Sequence, residues 1–507
     1  MTRVAVLADV GQHVYHVGDE AMGLAAADEL AGRGFDVVLL SRDPEQTQDG
    51  YGHPAVSTLE FPWSPAERED YLRRIQEHLA GSSSLPESDP ALALREQLAS
   101  VDAVLIAGGG NLNSRYGWLL YERAAVAAIA RSLGKPVVVS GQTLGPVLTA
   151  RDAQTLAEML QGAQLVGVRE STSARIALEL GVEAAHGLDD ASFLADPALP
   201  DDGGPAVPQD AARPVPRYEA PAGGYVAVTF APGRDDGFRR GLAAALDQLH
   251  AKTQLPAVFI PHMGVPGNID ADAGMHAEIA ALMATPAVLV PVVAAREAAR
   301  LTRGASLVVT TRYHPAVFAL SAGVAAVALS VEAYSDARLR GALENWGMAD
   351  FVLSLPALQQ GLLEEALLEA WERRAETAKH LKAVLDSRTR DAGIWWDRVA
   401  AVLQADTAAA PNVAGLPGTP GLSPSARLEG RGEWVAAETA LRRQFYPQSL
   451  LAARLAAEDE RVQSFTAPID RALEQEQAAH QRLAGSRTVQ TALGLHSSLS
   501  KFRRGRA

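Results

Sequence analysis

The run from Val308 to Leu329 constrains this chain more than any other stretch, because two apolar segments without polar alternation enclose a short polar turn and an apolar helix. Strands of that kind are buried on both faces, which a parallel sheet covered by helices provides. A proline near the helix start and a glycine at its end predict a helix from about Pro315 to Gly323. Such sheets collect ligands at the carboxyl ends of their strands, and Arg312 and His314 fall there. A cation, an imidazole and a helix N-terminus at one spot suit an anion that must also exchange a proton. The same residues also fit a strand-capping arginine and an interior histidine.

At 507 residues the chain exceeds a single core and calls for two or three domains. Hydrophobic residues at 48% and charged residues at 21% match an ordinary globular protein. No apolar run reaches the roughly 18 residues of a membrane span. The N-terminus goes straight from Met1 into a strand without a signal-peptide pattern, so a cytoplasmic location is expected. With no cysteine, disulfides, thiolate catalysis and Cys-ligated zinc are excluded. A net charge of −14 argues against nucleic acid as a partner. An anionic substrate must then be held by a few local cations.

In chain order the pattern predicts an α/β protein of two Rossmann-like, doubly wound lobes with a helical C-terminal extension. The lobes are expected at 1–197 and 224–404, joined by a Pro/Gly-rich linker at 198–223. The end of the second lobe, with Trp395 and Trp396, is long enough to cross back onto the first. A flexible linker at 405–432 and a helical tail at 433–507 follow, the latter reading as a helical pair with a basic end at Lys501–Arg506. That tail suits self-association or contact with an anionic membrane surface.

Strands predicted at Val4–Leu7, Val37–Leu40, Val101–Ala107, Val137–Ser140 and Leu165–Val168 bring several loops to one edge of the first lobe. Gly18 permits a sharp turn there, and Asp19 can cap the helix that ends near Gly32. Gly108, Gly109, Gly110 and Asn111 let backbone N–H groups approach a ligand, ahead of a helix from about Trp118 to Leu133. Gln142 follows the next strand. Arg169 stands at the end of its strand with its guanidinium expected in the cleft, or else paired with Glu170 or Asp190. In the second lobe His262 is near Asp270 and Asp272, but these carboxylates have no metal-ligand spacing to it and no metal is expected.

Five separated motifs, Val17-Gly18-Asp19-Glu20-Ala21, Gly108-Gly109-Gly110-Asn111-Leu112, Gly141-Gln142-Thr143-Leu144-Gly145-Pro146, Val168-Arg169-Glu170-Ser171 with Asp190-Ala191-Ser192-Phe193, and Arg312-Tyr313-His314 with Ala322-Gly323-Val324, agree in order and spacing with one family. Over roughly residues 3 to 400 the chain resembles the polysaccharide pyruvyl transferases. The resemblance implies a GT-B-like fold with the active site between the lobes. It implies transfer of the enolpyruvyl group of phosphoenolpyruvate to a sugar of a cell-surface polysaccharide or its precursor, free or lipid-linked, forming a pyruvate ketal without metal or organic cofactor. On this reading Arg169 and Arg312 clamp the donor bidentately, and His314 is general acid/base or phosphate ligand. Asp19 orients or deprotonates the acceptor, while Gly109, Gly110, Asn111, Gln142 and His262 line the substrate. The sequence departs from the family at His16, at Ala325 and over Ser330–Arg338. A GT-B glycosyltransferase using a nucleotide sugar and a non-catalytic scaffold are the competing readings.

Overall fold

The computed structural model describes residues 1–194, 218–233, 235–404 and 422–485. Most of the linkers predicted at 198–223 and 405–432, and the basic end at 501–506, fall outside these residues.

The strands of the first lobe are β1 (Arg3–Leu7), β2 (Tyr15–His16), β3 (Asp36–Ser41), β4 (Ala55–Ser57), β5 (Ala103–Ile106), β6 (Gly109–Leu112), β7 (Val137–Leu144), β8 (Leu165–Val168) and β9 (Ala185–His186). Those of the second are β10 (Val226–Thr229), β11 (Ala257–Phe259), β12 (Met263–Gly264), β13 (Ala287–Leu289), β14 (Leu307–Thr310), β15 (Ala326–Ser330) and β16 (Val352–Ser354). The first sheet runs β4-β3-β1-β5-β7-β8-β9, with β6 beside β7, and the second β13-β11-β10-β14-β15-β16. Both are parallel throughout. Their strands carry Val, Leu, Ile and Ala buried on both faces, as the uninterrupted apolar runs require. The result is the two-lobed, GT-B-like α/β architecture.

Each sheet reverses its winding direction once, between β1 and β5 in the first lobe and between β10 and β14 in the second. Such switch points open crevices at the strand carboxyl ends. Gly108–Gly110 follow β5 and Arg312 follows β14. The fold thus turns both features toward the seam between the lobes.

That seam is closed by main-chain bonding. β2 pairs antiparallel with β12, matching His16 to Met263 and Tyr15 to Gly264. Val17 N donates to His262 O at 3.0 Å, and Asn345 Nδ2 donates to Arg169 O at 2.9 Å. The 31-residue helix Arg374–Gln404 crosses from the second lobe to the first. Trp396 packs among Val4, Val6, Leu105 and Val138, while Trp395 Nε1 donates to Ser140 Oγ at 2.9 Å.

Several boundaries differ from the sequence expectation. β7 continues to Leu144 instead of ending at Ser140, and Gly109–Leu112 forms a strand instead of an open turn, because the glycine-rich segment pairs with the extended β7. The helix carrying His314 starts at Tyr313, before the proline. Residues 422–432, expected to be part of a flexible linker, lie against the second lobe: Leu428 is buried and its N–H donates to Gly347 O at 2.8 Å. Among the described residues the tail, expected as a helical pair, is one helix, Trp434–Gly485. It begins with the fully enclosed Trp434 against Phe351 and then spans both lobes. Arg442 Nε and Nη2 hold Asp336 of the second lobe at 3.0 and 2.7 Å, and Arg461 Nε holds Glu69 of the first at 2.9 Å.

Asp336 is fully buried. Removing Arg442 by Arg442→Ala takes away the ion-pair partner of this enclosed carboxylate and leaves it Ser330 Oγ at 3.3 Å, at a cost of about 3 kcal/mol. The expected result is a clear fall in melting temperature by calorimetry; an unchanged melting temperature would show that the pair holds nothing in place.

Candidate active site

His314 lies at the centre of the seam. It sits in the first turn of the helix Tyr313–Ser321, which follows β14 directly, so the backbone carries the imidazole across to the first lobe. A Cβ added to Gly18 would stand 1.9 Å from His314 Nδ1. Gly18 therefore makes room for the imidazole and does not serve the sharp turn expected of it. The helix Val17–Gly32 begins ahead of Asp19, which leaves that residue in the first turn instead of at the cap. Asp19 Oδ2 is 3.3 Å from His16 Nδ1. Burial opposes charge on both, yet their hydrogen bond and mutual attraction raise the His16 pKa and lower that of Asp19.

On its other side His314 Nε2 is 3.7 Å from Asp189 Oδ1, too far for a hydrogen bond, and this buried nitrogen has no partner among the described residues. Burial, only partly offset by the charge of Asp189, lowers the His314 pKa to about 4. The imidazole is thus neutral around pH 7 and can accept a proton.

Arg169 does not project into an open cleft. It is fully buried, with Nη1 on Asp189 Oδ2 at 2.6 Å and Nε on Thr143 Oγ1 at 2.9 Å. Its ion-pair partner is Asp189 at closest approach, with Glu170 at 3.7 Å, and not Asp190. Asp190 instead supports the glycine segment: it accepts Gly108 N at 2.7 Å and Ser140 Oγ at 2.7 Å. Burial, with Asp189 beside it, pushes its pKa up to about 7.

Arg312 is likewise committed, to the buried Asp272 on its own lobe, with Nε at 3.2 Å from Oδ2. Asp272 also accepts His262 N at 3.0 Å. Each of the two arginines expected to clamp the donor thus carries a carboxylate of its own lobe, Asp189 for Arg169 and Asp272 for Arg312. The guanidinium that meets Arg169 is Arg338. A Cβ on Gly110 would find Arg169 Nη2 at 3.1 Å and Arg338 Nη1 at 3.2 Å, so two like charges from opposite lobes converge on one glycine. The Tyr313 ring lies 4.2 Å from the Arg169 guanidinium and 5.8 Å from that of Arg338. Arg338 makes no ion pair among the described residues, and its buried Nε has no hydrogen-bond partner there. Tyr334 of the same helix donates its hydroxyl to Gly110 O.

The remaining expected contacts divide. Gly109 and Gly110 are at the seam, and the buried Asn111 keeps its Oδ1 unpartnered. Gln142, expected to touch substrate, is fully buried beneath them and donates to Ala107 O, since the extra length of β7 turns it into the sheet. His262 joins the lobes through its main chain. Its ring Nε2 is buried and unpartnered, and burial with His314 and Arg312 nearby holds its pKa well below the usual value. Among the described residues no group of three metal-binding side chains occurs.

Sequence reasoning missed Asp189, Tyr334 and Arg338. The signal for Arg338 was a cation in the second turn of the helix that follows β15, a strand end equivalent to those of Arg169 and Arg312, with Arg340 two residues further on. Asp189 stood unremarked beside the quoted Asp190.

Two parallel-sheet lobes with switch points facing one seam place the protein in the GT-B-like class. Residues 16–332 match the family described as polysaccharide pyruvyl transferase, and the chain belongs to that family. No curated protein matches the sequence. Among solved structures, UDP-GlcNAc 2-epimerase from Neisseria meningitidis bound to UDP-GlcNAc aligns at 12% identity and a TM-score of 0.47, covering 79% of this chain and 98% of its own. MurG from Acinetobacter baumannii aligns at 16% identity and 0.42, covering 79% and 99%. Alr3699/HepE from Anabaena in complex with UDP and glucose aligns at 12% and 0.46, covering 79% and 98%. No helix among the described residues is long and apolar enough to cross a membrane.

Proposed function

We propose that this transferase moves the enolpyruvyl group of phosphoenolpyruvate onto two hydroxyls of a sugar in a polysaccharide or its precursor, forming a cyclic pyruvate ketal. The observation that carries this reading is the convergence of Arg169 and Arg338 on Gly110. Two guanidiniums brought together repel unless an anion joins them, and planar double donors fit phosphate and carboxylate alike. Asp189 already answers Arg169, which leaves Arg338 as the cation free to take up the donor.

The chemistry requires a proton on the methylene carbon of the donor, a bond from a sugar oxygen to the adjacent carbon, and loss of phosphate. The second hydroxyl then closes the ring. Of the two hydroxyl protons released, one becomes part of the new methyl group and the other leaves with phosphate. His314 moves the proton, since it is neutral near pH 7 and its Nε2 is uncommitted. Asp19, held charged by His16, orients the attacking hydroxyl. Because His314 and Arg169 are enclosed by both lobes, substrate access requires the seam contacts between them, the β2–β12 pairing included, to open and re-form.

Incubation of the protein with phosphoenolpyruvate and a panel of sugar acceptors is expected to release phosphate and yield a ketal with one pyruvate per sugar. Stabilisation against heat by a nucleotide sugar, with none by phosphoenolpyruvate, would favour a glycosyltransferase instead.

Donor binding should also take up a proton. At about pH 6 the free imidazole of His314 is neutral, and a phosphate beside it raises its pKa, so up to about one proton is bound with each donor. Calorimetry in buffers of different ionisation enthalpy measures this. His314→Asn is expected to abolish the uptake; uptake that persists in that variant assigns the proton elsewhere.

A further inference from the structure

An aromatic ladder leads from the protein surface to the seam. Trp63, 70% exposed, stacks on Trp118 with ring centroids 3.9 Å apart and planes 19° from parallel. Tyr116 meets Trp118 edge-on at 5.7 Å and Tyr334 at 5.7 Å. Tyr334 in turn donates to Gly110 O, in the segment where Arg169 and Arg338 converge.

A tryptophan this exposed forfeits the burial that normally accounts for the residue in a fold. It is nevertheless held in place: one face lies on Trp118, and its carbonyl accepts Arg68 Nη1 at 2.7 Å from a guanidinium that is itself buried. The outward face remains in solvent. Beside the inner rungs, Arg115 lies 5.6 Å from the Tyr116 and Tyr334 rings and is paired with Glu332. Fixed aromatic faces with the Arg115–Glu332 pair beside them match the two surfaces of a pyranose, the rings its apolar C–H face and the charged pair its hydroxyl rim.

We propose that Trp63, Trp118 and Tyr116, backed at the inner end by the buried Tyr334 beneath the Arg338 guanidinium, form an extended acceptor platform that binds a glycan of several sugar residues and leads one of them to His314. Resting on the functional reading above, this makes the acceptor an oligomeric or polymeric chain and not a lone activated sugar. The outer ring binds sugars beyond the one that reacts, so it contributes affinity without touching the chemistry.

The test uses the full chain without donor. Binding of neutral and N-acetylated mono- to hexasaccharides is followed by calorimetry and saturation-transfer NMR. Wild-type affinity is expected to rise with chain length. Trp63→Ala should remove that rise, about tenfold for the longest chains, and Trp63→Phe should restore most of it. Monosaccharide binding and thermal stabilisation by phosphoenolpyruvate should not change in either variant. Length-independent binding by the wild type, no saccharide binding at all, an equal effect of Trp63→Ala on short and long chains, or occupation of the ladder by a polypeptide instead would each overturn the proposal. Failure of phosphoenolpyruvate to stabilise the wild type, with length-dependent saccharide binding intact, would overturn the donor assignment alone.

Discussion

A single methyl group at position 18 is expected to abolish turnover in a protein that still folds. Gly18 is in the first turn of the helix Val17–Gly32, where alanine is favoured over glycine by about 1 kcal/mol. Within its own lobe the substitution is therefore benign. Across the seam it is not, because the added carbon would lie 1.9 Å from His314 Nδ1, 2.4 Å from Cε1 and 2.8 Å from Cγ. With Cγ so close, rotation of the ring about its own axis cannot relieve the clash, and either the imidazole swings away or the lobes stay apart. Displacement of a reacting group by about 1 Å costs on the order of a hundredfold in rate. Gly18→Ala should lower kcat by at least about that factor, with both lobes still folded and a stability loss of about 1–3 kcal/mol from the crowded seam. Activity within a few fold of wild type would mean that His314 does not rest against Gly18 during catalysis, and its proposed role as proton carrier would go with it.

Gly18 also illustrates what the sequence could and could not convey. The stretch from Val308 to Leu329 was legible because apolar runs, a proline and a glycine punctuate strand, helix and strand through local rules alone. Those rules carried the doubly wound pattern of both lobes and brought Arg169, Arg312 and His314 to strand ends. They were silent on partners. Asp272 is forty residues from Arg312 and at no regular spacing to it, so nothing local marked that arginine as already neutralised. Gly18 looked like a turn residue because the ring it accommodates comes from the other lobe. Gln142 seemed to follow a strand because polar residues usually do, whereas pairing with β6 draws β7 onward to Leu144. The tail read as a helical pair because heptad-like spacing does not distinguish one long helix gripping both lobes from two short ones gripping each other.

The cation that binds the donor can be identified by separating affinity from stability. Arg338 has no ion-pair partner among the described residues and shares its approach to Gly110 with Arg169, so Arg338→Ala removes a repulsion together with the cation–π contact of its guanidinium on the Tyr334 ring, 3.9 Å away, and no ion pair. It should change stability by no more than about 1 kcal/mol, the lost stacking and the relieved repulsion opposing each other. The KM for phosphoenolpyruvate should rise by about thirtyfold to a thousandfold, the loss of a charged hydrogen-bonding partner being worth roughly 2–4 kcal/mol. Arg338→Lys keeps the charge but loses the double donor, and an intermediate effect is expected. Arg312→Ala behaves in the opposite way. It strips a fully buried Asp272 of its cation and should cost about 3 kcal/mol of stability, a loss that melting curves report directly. If Arg338→Ala left the donor KM unchanged while Arg312→Ala raised it without destabilising the fold, the donor would lie between Arg169 and Arg312, and the carboxylate of Asp272 would have to give way when it binds.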